Sequence, residues 1–183
     1  MNRTSLRLGA IAGLVCLLAS CGGKDPIETA VGKNDRQAVT EAVKQGADVN
    51  AKTSGGDTPL LLAVKSGESS SAQGLIEAGA DIQVHDDAGN GVLHYAARNG
   101  MTGICGLLVD RGIGIDEKGE GGVTPLQFAV RGARQETAKY LVRRGASLEQ
   151  KDDAGASALD LVVRSGDTRF KGDLELAATM RTH

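Results

Sequence analysis

The chain is predicted to be an all-α repeat protein, a short solenoid of helix pairs, and three periodic features point there. Gly56, Gly89, Gly122 and Gly155 stand 33 residues apart, and Gly46, Gly79, Gly112 and Gly145 keep the same interval. An apolar pair precedes each of the last three of these closing glycines: Leu75-Ile76, Leu108-Val109 and Leu141-Val142. A period of this length marks stacked supersecondary units, each too small to bury its apolar face without a neighbour. The central unit, Asp86 to Lys118, shows the pattern most completely.

The first 20 residues stand apart from this pattern. Met1 to Arg7 carries Arg3 and Arg7 and no acid, Leu8 to Leu18 is a short apolar run, and small residues follow at Ala19 and Ser20. That order predicts a secretory signal over residues 1–20, too short in its apolar part for a comfortable membrane span. Leu18-Ala19-Ser20-Cys21 resembles a bacterial lipobox. The resemblance implies cleavage before Cys21 and a lipid-carrying cysteine at the new N-terminus; the alternative is an ordinary signal with an incidental cysteine. Several acyl chains on Cys21 would anchor the domain permanently, where one chain would not. Gly22 in place of Asp after that cysteine resembles lipoproteins sorted to the outer membrane, which places the domain in the cell envelope, facing the periplasm.

Cleavage removes two arginines and leaves 19 basic against 23 acidic residues, a net charge near −4. That balance argues against nucleic acid as a partner. Cys16 leaves with the signal and Cys21 is taken by lipid, so Cys105 is alone. An exported domain with one free cysteine has no disulfide framework and must be held by packing.

At 183 residues the chain has room for one domain. Residues 21–52 form an N-terminal capping repeat, with Pro26 at a first helical position, a short helix over Ile27 to Val31, and a second over Arg36 to Lys44. Four extended residues reach only about 14 Å, so this unit would sit close to the lipid. Full repeats follow at 53–85, 86–118 and 119–151. Each opens with a glycine-rich turn, and in two of them Thr58-Pro59 and Thr124-Pro125 start the first helix with a capping oxygen and a preset backbone angle. The first helices are expected to end at Gly67, at Gly100 and near Gly132-Ala133, and the second helices at the closing glycines. Residues 152–183 read as a C-terminal cap, because the helix over Phe170 to Met180 carries Lys171, Asp173, Glu175 and Arg181 on its outer face.

These segments resemble ankyrin repeats. Gly56 to Ala63, Gly89 to Gly100 and Gly122 to Ala129 match the opening of the family's unit, and Gly46 to Ala51 matches its close. The resemblance covers nearly the whole chain after the signal. It implies helix pairs joined by short β-hairpin loops and a concave face on which a protein partner sits. Gly91-Val92 departs from Thr-Pro in the central repeat, and Gly103 and Gly106 are expected to weaken its second helix by about 1 kcal/mol each.

Catalytic and metal chemistry find little footing, and neither an enzyme nor a cofactor is expected. His94 occupies the place where the family keeps a histidine that hydrogen-bonds within the turn region, and Cys105 falls on the packed side of a helix. A nucleophile pair of these two would lack a third, orienting group. Asp86 to Gly91 is a weak likeness of a calcium loop, lacking the acid at its third position and the closing glutamate. No phosphate-binding loop, metal-spaced Cys/His set or serine triad is present.

What register does bring out is charge. Lys65, Arg98, Arg131 and Arg164 recur every 33 residues at the end of the first helix, and Lys52, His85, Lys118 and Lys151 recur likewise on the outgoing turn arm. By the resemblance, both rows line the concave face. They are the expected partner-binding residues of a monomer that takes a protein with an acidic surface. Neutralisation by Asp57, Asp86, Asp87, Glu120, Asp152 and Asp153 is the competing possibility. The expected roles are a tethered binding scaffold, in sharper form an immunity protein that blocks a secreted toxin, or else an envelope structural or assembly factor.

Overall fold

Helices begin at one register position throughout the chain. In the computed structural model, which describes residues 25–180, Pro26, Pro59, Val92, Pro125 and Ala158 each occupy the first position of a helix. These helices are α1 (Pro26–Gly32), α3 (Pro59–Ser66), α5 (Val92–Arg98), α7 (Pro125–Arg131) and α9 (Ala158–Ser165). Their partners are α2 (Arg36–Lys44), α4 (Ser69–Glu77), α6 (Thr102–Asp110), α8 (Gln135–Arg143) and α10 (Thr168–Thr179). The expected signal, the lipobox with Cys16, Cys21 and Gly22, and the terminal Arg181 and His183 lie outside the described residues.

The local chemistry at the helix starts is what the sequence predicts. Thr58 Oγ1 accepts the Leu61 N–H at 3.4 Å, and Thr124 Oγ1 accepts that of Gln127 at the same distance. Ser157 does the same for Asp160 at 3.2 Å, so the last unit is capped without the proline. Among the second helices, Asp35 caps α2 and Asp167 caps α10, but α4 depends on a neighbour. α4 has no cap of its own, and Asn34 from the preceding unit accepts the Ser70 and Ser71 N–H groups at 2.9 and 3.3 Å.

Stacking follows the period. The first helices pack in series, α1 on α3, α3 on α5, α5 on α7 and α7 on α9, and the second helices likewise from α2 to α10. One apolar cluster runs through all five pairs, from Ile27 to Ala177, with Leu60, Leu93 and Leu126 fully buried at one register position and Leu75, Leu108 and Leu141 at another. No unit owns this core; each interior unit supplies half of two interfaces.

Three details differ from expectation. The loops are turns rather than β-hairpins: the backbone closes from Thr53 to Asp57, Asp86 to Asn90, Gly119 to Val123 and Asp152 to Ala156, and the one bridge among the described residues joins His85 and Gly91. The arms are held across units by side chains instead, as where Asn50 accepts the Asp81 N–H and Asp116 that of Ser147, both at 2.9 Å. Second, the left-handed residue after the first helix is Gly67, Gly100 and Gly166 in three units but Asn34 and Ala133 in the others, so Gly132 is not the residue that takes it. Gly132 is required for another reason, since a Cβ there would stand 2.5 Å from the Arg98 carbonyl oxygen. Third, Gly106 gives α6 more than weakness. A Cβ on it would stand 2.7 Å from the Tyr140 hydroxyl of α8, whereas nothing lies within 4 Å of one on Gly103.

Candidate interaction groove

The first helices and the turn arms face each other across a groove, and the repeat builds its features twice over. One depression of about 390 Å³ is lined by Lys52, Asp57, Lys65, His85, Asp86 and Asp87. Another of about 380 Å³ is lined by Glu120, Val123, Phe128, Arg131, Asp152 and Asp153. Lys65 and Arg131 occupy the same register position two units apart, as do Asp86 and Asp152.

The basic row at the end of the first helices is therefore not uniformly open. Lys65 Nζ lies 2.9 Å from Asp57 and 3.5 Å from Asp86, and 5.3 Å from the centre of the Tyr95 ring. Arg131 donates to Asp152 at 2.8 Å, and that carboxylate is only 2% exposed. Arg98 and Arg164 are exposed; Arg164 has Asp160 one turn before it on α9. Burial alone would raise the pKa of Asp86. The Tyr95 hydroxyl donating at 2.5 Å, the N–H groups of Asn90 and Ala88, and the nearby Lys65 charge outweigh it and hold the carboxyl below its ordinary value. With these donors in place, both Asp86 oxygens are engaged inside the protein.

The second basic row is mixed as well. His85 meets Glu117 at 2.8 Å, and Lys118 donates to the Lys151 carbonyl at 3.1 Å, tying two arms together. Lys52 and Lys151 are exposed. Lys52, Lys65 and His85 converge on one depression, while Lys118, Lys151 and Arg164 lie farther along the stack.

Sequence inspection missed a row that the fold brings out beside the charges. Leu62, Tyr95, Phe128 and Leu161 stand 33 residues apart, three before each basic residue, and all four are half-buried. The Phe128 ring meets those of Tyr95 and His94 edge-on, with centroids 6.2 and 5.3 Å apart. The signal was present as a period, but the residue type changes between aliphatic and aromatic, and only the fold shows that the position is left partly uncovered.

His94 itself is structural. Its Nδ1 accepts the Gly91 N–H at 3.1 Å, which puts the ring proton on Nε2, within 3.0 Å of the Glu117 carbonyl and 3.2 Å of that of Val123. Burial is the main cause that lowers its pKa. One unit on, Gln127 fills the same role, its Oε1 accepting the Thr124 N–H at 2.8 Å and its Nε2 donating to the Ala156 carbonyl at 2.6 Å. Cys105 is fully buried, and burial pushes its thiol up to about 12, where no thiolate is available for nucleophilic work. Among the described residues no cluster of His, Cys, Asp and Glu is arranged to hold a metal ion, and no helix is long and apolar enough to cross a membrane.

A comparison with curated proteins gives no match. A family model described as ankyrin repeats, in three copies, matches residues 6–86 and 75–152. With most of its length covered by that model and ten α-helices among the described residues stacked as pairs at the same period, the chain belongs to the ankyrin-repeat family.

Proposed function

We propose that this protein is a membrane-tethered, periplasm-facing scaffold that holds another protein on the concave face formed by its first helices and turn arms. Ankyrin repeats are typically interaction scaffolds, and the observation that carries the proposal here is the half-covered row of Leu62, Tyr95, Phe128 and Leu161 beside Lys65, Arg98, Arg131 and Arg164. Partly exposed aromatic rings next to arginine are the side chains that dominate binding energy in protein interfaces. A partner covering the row would remove apolar surface from water and find fixed charges to set its register.

The lipobox-like Leu18-Ala19-Ser20-Cys21 supports a lipid anchor, and Gly22 supports the outer membrane as its site. In its sharper form the proposal is an immunity protein: a fixed inhibitor waits in the compartment where a secreted toxin arrives. The test is capture from an envelope extract by the wild-type chain and by a variant with Arg98→Glu and Arg131→Glu, each at low and high salt. Retention should fall with both the reversals and the salt. Retention that ignores both removes the charged row from the binding site.

The internal pairing of Lys65 and Arg131 favours a second possibility, an envelope structural or assembly factor whose lipid does the work. In that case Cys21→Ser abolishes function while the charge reversals are tolerated.

A further inference from the structure

The acids that neutralise the basic row follow a rule of register. Lys65 is met by Asp86, 21 residues on, and by Asp57, eight residues before. Arg131 is met by Asp152, again 21 residues on. Applied to Arg98, the same two offsets fall on Gly119 and Asn90. Neither carries a charge.

The packing keeps that rung empty of acid. Asn90 is 3% exposed, and its Oδ1 is turned away to accept the Glu120 N–H at 3.0 Å. It fills the space where a Cβ on Gly119 would stand, and the His94 ring closes the same space at 3.1 Å. A carboxylate at position 119 would displace both. Arg98 is exposed, and outside its own helix it is its carbonyl oxygen that is engaged, accepting from Arg134 Nε at 3.1 Å. Its guanidinium thus has no acidic partner among the described residues, in the middle unit of the stack, one turn along α5 from Tyr95.

We propose that a carboxylate of the bound protein completes this rung, so that Arg98 anchors a single acidic side chain between two rungs that the chain has already neutralised. The proposal rests on the groove being the binding face, and it narrows the partner. A broad acidic surface would gain little from Lys65 and Arg131, whose charges Asp57, Asp86 and Asp152 already neutralise. The chemistry that fits is one Asp or Glu, held bidentately by the guanidinium and flanked by apolar side chains that cover Tyr95 and Phe128. A desolvated arginine–carboxylate pair surrounded by aromatic contacts gives far more discrimination than an exposed pair.

The experiment has two arms. In the first, the full chain is labelled at arginine and titrated with poly-L-glutamate while the Nε–H signals are followed. Arg98 should respond at a probe concentration at least about fivefold below that needed for Arg131. Asp152→Asn should bring Arg131 into line with Arg98, and Asn90→Asp, which supplies a carboxylate from within, should blunt the Arg98 response. Parallel behaviour of the two arginines in the wild-type chain, or no effect of either substitution, overturns the proposal. In the second arm, a random peptide display library is selected on the full chain, and retained clones are rechecked on Arg98→Ala and on Tyr95→Ala/Phe128→Ala. Clones enriched in a single acid that lose about tenfold or more on Arg98→Ala support the proposal. Clones that need Tyr95 and Phe128 but ignore Arg98 overturn it and leave the groove standing. Clones indifferent to all three positions overturn the groove as well.

Discussion

At the scale of single residues, the repeat shows which interactions are interchangeable and which are local compromises. His94 and Gln127 satisfy equivalent backbone groups with different chemistry, so His94→Gln should be nearly neutral in chemical denaturation. His94→Ala would leave the Gly91 N–H and the Glu117 carbonyl without their partner and the Val123 carbonyl with the Gly119 N–H alone, at a cost of about 3 kcal/mol. The imidazole also gives a pH signature. Burial lowers its folded pKa below the ordinary 6.5, so the unfolded chain takes up the proton first. The stabilisation is complete above about 6.5 and is lost as the pH falls through the lowered folded value. Unfolding free energies measured across this range should slope downward on acidification, and the slope should flatten in His94→Gln. Ala133 is a compromise of the other kind. It holds φ of 54° where three units use glycine. Ala133→Gly should raise stability by about 1 kcal/mol in thermal or urea unfolding, since an L side chain in that conformation carries a steric cost.

At the scale of the helix, α6 looks weakest on propensity and is partly rescued by its neighbour. Gly103 is exposed and uncontacted, so Gly103→Ala should gain about 0.5–1 kcal/mol of helix stability. The same change at Gly106 gains less or loses. The new methyl meets the Tyr140 hydroxyl, which Arg144 holds at 2.6 Å while its other nitrogen reaches Asp110 at 2.5 Å. Comparing the melting temperatures of the two alanine variants separates propensity from packing. The helix ends likewise rely on adjacent units. Asn99 donates to the Val64 carbonyl at 2.6 Å, closing the end of α3 from the next repeat.

Across the whole molecule, stability is shared between units, and Cys105 reports it. Its thiol is fully buried in the interior unit, with its pKa pushed up to about 12 by burial. A thiol reagent should therefore label it at the rate of unfolding, and labelling should rise in step with loss of helical signal in denaturant. Rapid labelling of the native protein would show that α6 opens independently of the stack. The ends of the stack are unlike its middle. Val163, 58% exposed on α9, stands in register with the buried Val64 and Ala97, where no further unit follows in the described residues. Beyond it, α10 turns the Lys171–Glu175 pair outward at 3.5 Å, while Leu176 and Met180 are also left exposed.

Most of the architecture was legible in the residues because it is periodic. The glycine series, the Thr-Pro starts and the apolar pairs recur every 33 positions, and each has a local cause that acts without knowledge of the rest of the chain. The positive rows were legible in the same way, as positions. Their state was not, because an ion pair depends on which acid folds against which base: Asp152 reaches Arg131 across a unit boundary, while Asn90 and Gly119 leave Arg98 with none. The half-covered row of Leu62, Tyr95, Phe128 and Leu161 stayed hidden for a related reason, since exposure is a property of neighbours. Periodicity determines where a side chain recurs. Contact between successive units decides whether it is buried, neutralised or left free to meet another protein.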